Sequence, residues 1–388
     1  MSIELRAATE SLTYGMVGGG QGAFIGEVHR KAIGFDSSAE LTCGCFSRDY
    51  KNTLATGTSL GIAQDRLYKN YKEMAEVEGR RSDSIDFVVI VTPNASHYPI
   101  AKLFLERGIN VVCDKPFTVT TAQAEELVEL AERNNLTICL TYTYTGYPIA
   151  KHVRDLVVAG ELGDIRFVNA EYPQEWLSTL LEETDHKQAS WRGDPDITGL
   201  TNSVGDIGSH IENMVSFMTG LKIERLSARL DTLVAGRKLD DNVTVMVDYH
   251  GGARGLYWCS QIAVGNDNGL RVRIFGSKGS IDWAQENPNY FNLCYLDKPL
   301  QRISRGRDAL SPLAQSFSRV PAGHPEGYFE AFANIYKAFT SYLRKLKSGA
   351  AIEVEDKEFP TAADGLAGVH FIEKCVESSR SDSAWVKM

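Results

Sequence analysis

The sequence predicts an α/β protein. An N-terminal, doubly wound parallel sheet of Rossmann type precedes an α+β domain with a large, open, mainly antiparallel sheet. Three observations predict this. A glycine burst, "GGGQGAFIG", follows an apolar run and precedes a helical pattern. Strand and helix patterns alternate over roughly the first 145 residues, as a parallel sheet requires. Beyond that point the strands lengthen and fill with Tyr, Val and Thr. The expected division is residues 10–145 for dinucleotide binding and 146–388 for substrate binding and oligomerisation. A chain of 388 residues is comfortable for two cores.

The elements read off in order. "LTYGMVG" is an apolar strand, and residues 24–33 follow as a helix. "ELTCGCFS" is a second strand; "SIDFVVIVT" is a third, apolar enough to be buried on both faces. "HYPIAKLFLERG" has apolar residues at helical spacing and ends at Gly108, a C-cap. "INVVCDKP" is a fourth strand, "TTAQAEELVELAERNN" a Thr-capped amphipathic helix, and "LTICLTY" a fifth strand. The second half opens on the helix "PIAKHVRDLVVAGELG" and the segment "DIRFVNAEYPQEW". The stretches "IERLSARLDTL", "NVTVMVDYHGGARGLYWCSQIA" and "LRVRIFGSKGSIDWAQ" alternate like strands, with turn residues between them. Two helices, "PEGYFEAFANIYKAFTSYLRKLKSG" and "TAADGLAGVHFIEKCVESSRSD", close the chain, and residues 1–9 are expected to form a loose tail.

Composition narrows the function. The formal net charge of −9 argues against nucleic acid or an anionic membrane surface as the main partner. No apolar run approaches a bilayer span, and "MSIELRAATESLT" does not read as a signal peptide. The seven cysteines are dispersed except for Cys43 and Cys45, which share one face of a strand. Without a C-x-x-C knuckle or a His cluster they read as buried thiols, and no metal is expected. A cytoplasmic location fits.

Gly18, Gly20 and Ala23 fit G-x-G-x-x-[GA] between a strand and a helix. Glycines there allow a tight turn and close backbone approach, and the helix N-terminus stabilises a pyrophosphate. Gln21, Gly22, Phe24 and Ile25 complete the predicted cradle. The extra "GAFIG" predicts a loop longer than the fingerprint needs, with the phosphate-touching glycine left open. The second strand ends in Cys45-Phe46-Ser47-Arg48, with no acid before Asp49. Ser47 and Arg48 could hold a 2′-phosphate, or Arg48 could cover the adenine, so both NAD and NADP stay open.

Lys115 follows the apolar fourth strand at its C-terminal end, where open α/β sheets bind ligands. A lysine there needs a task or a partner. Asp206 and His210 are four apart on a predicted helix and so share a face. A carboxylate beside an imidazole can fix its tautomer and raise its basicity, and His is suited to proton transfer near neutral pH.

The glycine loop, "TPNASHYPIA", "DKPFTVT" and "GDIGSHIEN" fall in that order. Together they resemble the Gfo/Idh/MocA family of sugar and polyol oxidoreductases over nearly the whole chain. The resemblance implies hydride transfer between a ring carbinol and NAD or NADP, in a homodimer or homotetramer. By position Lys115 matches the lysine of the family's E-K-P motif, with Asp114 in place of Glu. Asp206 and His210 match its D-x-G-x-H pair. Thr92, Pro93, Asn94 and His97 match the loop beside the nicotinamide. Asn213 stands where many inositol and glucose members carry Asp. Finer stretches, "YTYTGYP", "AEYPQEWL", "SWRGDP" and "HIEN", resemble the branch that oxidises pyranosides at C3, the levoglucosan and glycoside 3-dehydrogenases.

The resemblance implies His210 as general base, Asp206 as its orienter or a hydroxyl ligand, and Lys115 as the stabiliser of the alkoxide. In some relatives the lysine takes the proton. Tyr144, Trp176, Trp191 and Arg192 are candidate sugar contacts, the last two also bordering the cofactor; C–H faces of sugars pack on aromatic rings. An inositol dehydrogenase, an NAD-dependent glycosidase and a non-catalytic NAD(P) sensor are the rival readings.

Overall fold

The computed structural model describes residues 11–184, 187–307 and 309–388. The expected tail at residues 1–9 lies outside them. Five strands form the first sheet: β1 (Leu12–Gly18), β2 (Ala39–Cys45), β3 (Phe87–Val91), β4 (Asn110–Cys113) and β5 (Ile138–Leu140). All pairs are parallel, in the order β2-β1-β3-β4-β5. β3 is buried throughout, as its unbroken apolar run FVVIV requires. Strand order reverses between β1 and β3, which opens a crevice beyond their C-terminal ends.

Helices α1 (Phe24–Phe35), α2 (Tyr50–Ser59), α3 (Tyr71–Glu78), α4 (His97–Glu106) and α5 (Thr121–Arg133) connect these strands. No sequence pattern announced α2 and α3. α2 is rich in Thr, carries a glycine at position 57, and is capped where Asp49 accepts the Lys51 N–H at 3.0 Å. Thr120 caps α5 by accepting the Gln123 N–H, as expected.

The second half begins with α6 (Pro148–Val158) and β6 (Ile165–Pro173). Two short helices follow, α7 (Lys187–Arg192) and α8 (Pro195–Thr198), and then α9 (Ser209–Thr219). The sheet is completed by β7 (Ile223–Asp231), β8 (Asn242–Tyr249), β9 (Arg254–Ser260), β10 (Arg271–Gly276), β11 (Gly279–Ala284), β12 (Tyr290–Tyr295), β13 (Gln301–Ser304) and a final β14 (Val386–Lys387). The order is β13-β12-β11-β10-β6-β9-β8-β7-β14, and only β6 and β9 pair in parallel. Buried and exposed residues alternate along β8 and β10. One face therefore carries the core under α6 and α9, and the other is open.

After the short α10 (Pro312–Ser316), helices α11 (Tyr328–Lys347) and α12 (Ala362–Arg380) do more than close the second half. Phe332, Tyr336 and Phe339 of α11 share a core with Leu12, Tyr14 and Phe87 of the first sheet. Phe339 meets Phe87 edge-on at 5.3 Å. α12 joins Val369 to the core beneath α5, and its Ser378 hydroxyl accepts the Ala228 N–H of β7 at 2.8 Å. Cys43 and Cys45 enter one core as free thiols. No helix among the described residues is long and apolar enough to cross a membrane.

Candidate active site

The glycine loop is tighter than its sequence suggests. α1 begins at Phe24 directly after Ala23, so Phe24, Ile25 and Gly26 form its first turn and do not lengthen the loop. Gly26 explains the difference. A Cβ there would lie 2.3 Å from the Gly19 Cα and 2.6 Å from its carbonyl oxygen, so only glycine lets helix and loop pack this closely. Gly18, Gly19 and Gly22 have positive φ. Ala23 offers no side-chain cap, which leaves the first N–H groups of α1 for an anion. An uncapped helix start above a glycine-rich cradle fits a pyrophosphate.

Lys115 leaves β4 and enters the space between the two sheets. Its ammonium donates to the Asp206 carbonyl at 2.6 Å and to the Asp206 carboxylate at 2.8 Å. That answers how a part-buried lysine is stabilised, and it leaves the third N–H donor of Lys115 for a ligand. Asp206 also accepts from the Gln261 amide at 2.9 Å and lies 3.4 Å from the Arg192 guanidinium. Burial works to raise the Asp206 carboxyl, but the charges of Lys115 and Arg192 outweigh it and hold it well below its ordinary value.

Among the described residues the hydrogen bonds and ion pairs of Asp206 go to Lys115, Gln261 and Arg192, while toward His210 its carboxylate acts by its charge, working to raise the imidazole. Residues Val204–Gly208 form a π-turn ahead of α9, so the α-helical i, i+4 alignment of Asp206 and His210 is lost. Buried Asp240 holds that turn open by accepting the Asn202 N–H at 2.7 Å and the Val204 N–H at 3.0 Å. His210 lies instead against the ring of Tyr144, 4.7 Å between centroids, with Tyr142 and Tyr172 farther out. Burial first, and the Lys115 charge second, push its imidazole well below the ordinary histidine value, so it is neutral near pH 7.

These groups line one cavity of about 870 Å³. It runs from Gly18, Gly20, Gln21, Ala23, Phe24 and Ile25, past Ser47 and Arg48, to Thr92, Pro93 and Asn94. Asp114, Lys115, Asp206 and His210 follow, with Tyr144, Trp176, Trp191 and Arg192. Arg192 stacks over Trp191 at 4.3 Å and Trp176 at 5.6 Å. Asp114 accepts from the Thr141 hydroxyl and lies 3.5 Å from His29.

Two predicted cofactor contacts lie off the wall. His97 is buried, with its ring nitrogens 2.9 Å from the Pro116 carbonyl and 2.8 Å from that of Thr92; it ties the two loops together. Gly22 turns the loop without lining the cavity. Asn213, the departure from the inositol and glucose pattern, is also off the wall. Tyr172, Gln174, Asn268 and Gln285 line the cavity unannounced. Tyr172 and Gln174 lay within a quoted stretch, "AEYPQEWL", whereas Asn268 and Gln285 stand in turn-rich sequence without a motif.

The fold and the glycine cradle define an NAD-binding oxidoreductase. The chain matches the model of the NAD-binding Rossmann oxidoreductase family over residues 12–142 and that of the GFO/IDH/MocA C-terminal domain over residues 150–282. It belongs to the Gfo/Idh/MocA family. An uncharacterized oxidoreductase of Bacillus subtilis, YfiI, is 34% identical across 98% of both chains. An inositol dehydrogenase homologue from Azotobacter vinelandii, solved with NADH and myo-inositol, is 33% identical, with a TM-score of 0.90 over 97% of this chain and 98% of that one. Levoglucosan dehydrogenase of Pseudarthrobacter phenanthrenivorans is 22% identical over 97% of this chain and 98% of its own.

Proposed function

We propose that the protein oxidises a secondary ring alcohol of a sugar, glycoside or cyclitol to the ketone with NAD or NADP. The observation that carries this reading is the meeting of Lys115, Asp206 and His210 in the cavity bounded by the glycine loop. NAD or NADP held at the glycine loop would supply the hydride acceptor for the carbinol carbon. The remaining work falls to side chains. The free N–H of Lys115 donates to the alcohol oxygen and stabilises the alkoxide. His210, neutral near pH 7, accepts the hydroxyl proton. Asp206 keeps Lys115 aimed by holding two of its three donors.

Two substrates compete. The myo-inositol bound by the Azotobacter homologue, a full-length relative at 33% identity, favours a cyclitol. The pyranoside reading, with oxidation at C3 to a 3-keto sugar, rests on the four finer motifs and on the more distant levoglucosan dehydrogenase. Reduction of NAD and of NADP, each crossed with inositols, levoglucosan, glucosides and glucose, decides between them. No turnover on any member of the panel with either nucleotide would remove the proposal.

A further inference from the structure

The cavity wall beyond His210 is a hydrogen-bonded chain with a fixed direction. It starts at Trp176, whose indole N–H donates to the Gln174 side-chain oxygen at 3.1 Å. An indole nitrogen can only donate, so the Gln174 amide is oriented by it. Gln174 then donates through Nε2 to the Asn268 Oδ1 at 2.8 Å. Asn268 donates through Nδ2 to the Gln285 Oε1 at 2.9 Å, and Gln285 donates onward to the Tyr147 hydroxyl at 3.1 Å.

The phenols follow the same polarity. The Tyr172 hydroxyl donates its only proton to the Asn268 Oδ1 at 2.6 Å. In the Tyr144–Tyr172 pair the donor must therefore be Tyr144. Both phenol protons are used inside the wall, and the phenol oxygens have only lone pairs to offer a ligand. Asn268 fills both amide positions, since its Nδ2 also reaches the Tyr144 hydroxyl at 3.3 Å. The residues named in this wall are all uncharged. Among the described residues that line the cavity beside it, Lys115 and Arg192 both face Asp206.

We infer that the substrate is an uncharged polyol that donates a hydroxyl proton to the Tyr144–Tyr172 pair, and that Asn268 is the specificity-determining residue that keeps this wall an acceptor. The inference rests on the reading of the protein as a ring-alcohol dehydrogenase. A phosphorylated sugar would bring a dianion against lone pairs, while the described cations beside them, Lys115 and Arg192, already face Asp206.

The test uses the full chain with NAD and NADP, and myo-inositol, levoglucosan and glucose as probes beside inositol 1-phosphate and glucose 6-phosphate. Asn268→Leu keeps roughly the size of the side chain but offers no acceptor to the Tyr172 hydroxyl or the Gln174 amide. The expected result is a kcat/KM at least about a hundredfold lower for the phosphorylated partner than for its neutral parent. Asn268→Leu should raise KM for the neutral polyol at least about tenfold, more than it lowers kcat, with the nucleotide Kd unchanged. Equal or better turnover of the phosphorylated compounds would overturn the inference, as would an unchanged KM in an Asn268→Leu protein that binds nucleotide normally. If that variant does not fold, the comparison of phosphorylated and neutral substrates by the unaltered protein decides alone. Failure of the unaltered protein on all five probes would remove the dehydrogenase reading itself, and the inference with it.

Discussion

His210 is the residue whose environment most constrains the chemistry. Burial and the Lys115 charge keep its imidazole neutral below the ordinary histidine value of about 6.5. The neutral form is the base, so kcat/KM for oxidation should stay level as pH falls through about 6.5 and decline only when the ring protonates at lower pH. His210→Asn should lower kcat by about 10²–10⁴ and abolish that acid limb. An acid limb centred above about 6.5 in the native enzyme, and absent from the variant, would contradict this environment. At the other end of the cavity Arg48 lines the wall, and we propose that it meets an adenosine 2′-phosphate. Arg48→Asp should weaken NADP binding more than tenfold (about 1.4 kcal/mol) relative to NAD, read as Kd by calorimetry. Lys115, Asp206 and His210 were legible because each sits in a short motif at a fixed spacing. The partner of Asp206 was not, since the π-turn that turns it toward Lys115 depends on Asp240, distant in sequence.

The element that decides nucleotide binding is the turn from β1 into α1. Gly26→Ala would place a methyl against backbone atoms of Gly19, which cannot rotate away. It should cost about 1–3 kcal/mol of stability and weaken nucleotide binding, measured by thermal melting and by Kd. Gly34→Ala is the control in the same helix. It meets nothing within 4 Å, is exposed, and should stabilise by up to about 1 kcal/mol. The parallel strands and long amphipathic helices could be read from periodicity alone. α2 and α3 could not, because their apolar faces are narrow and their caps, Asp49 and Asn70, look like ordinary loop residues. The hairpin of β12 and β13 was hidden by polar residues on its open face.

Across the whole molecule the chain returns on itself. α11 and α12 run back over the N-terminal sheet, so residues from both ends of the sequence share cores. The catalytic cavity lies where the two sheets meet. Its motif-bearing half was visible in the sequence. Of its acceptor wall only Tyr144 was named from the sequence; Asn268 and Gln285 carry no motif, and only the fold brings them to it. The open face of the nine-stranded sheet exposes Phe167, Met246 and Phe275 beside the Arg271–Asp282 pair. A face of this kind suits self-association, and light scattering should return two or four times the chain mass. A monomer at micromolar concentration would refute that expectation.

The most direct measurement compares single-turnover nucleotide reduction by the native protein and by Lys115→Ala, on whichever ring polyol the substrate panel identifies. In the proposed mechanism Asp206 holds the ammonium for the reacting oxygen and not for the coenzyme. The rate should therefore fall by orders of magnitude while Kd for the nucleotide holds. An unchanged rate would mean that the alcohol reacts somewhere other than between Lys115 and His210.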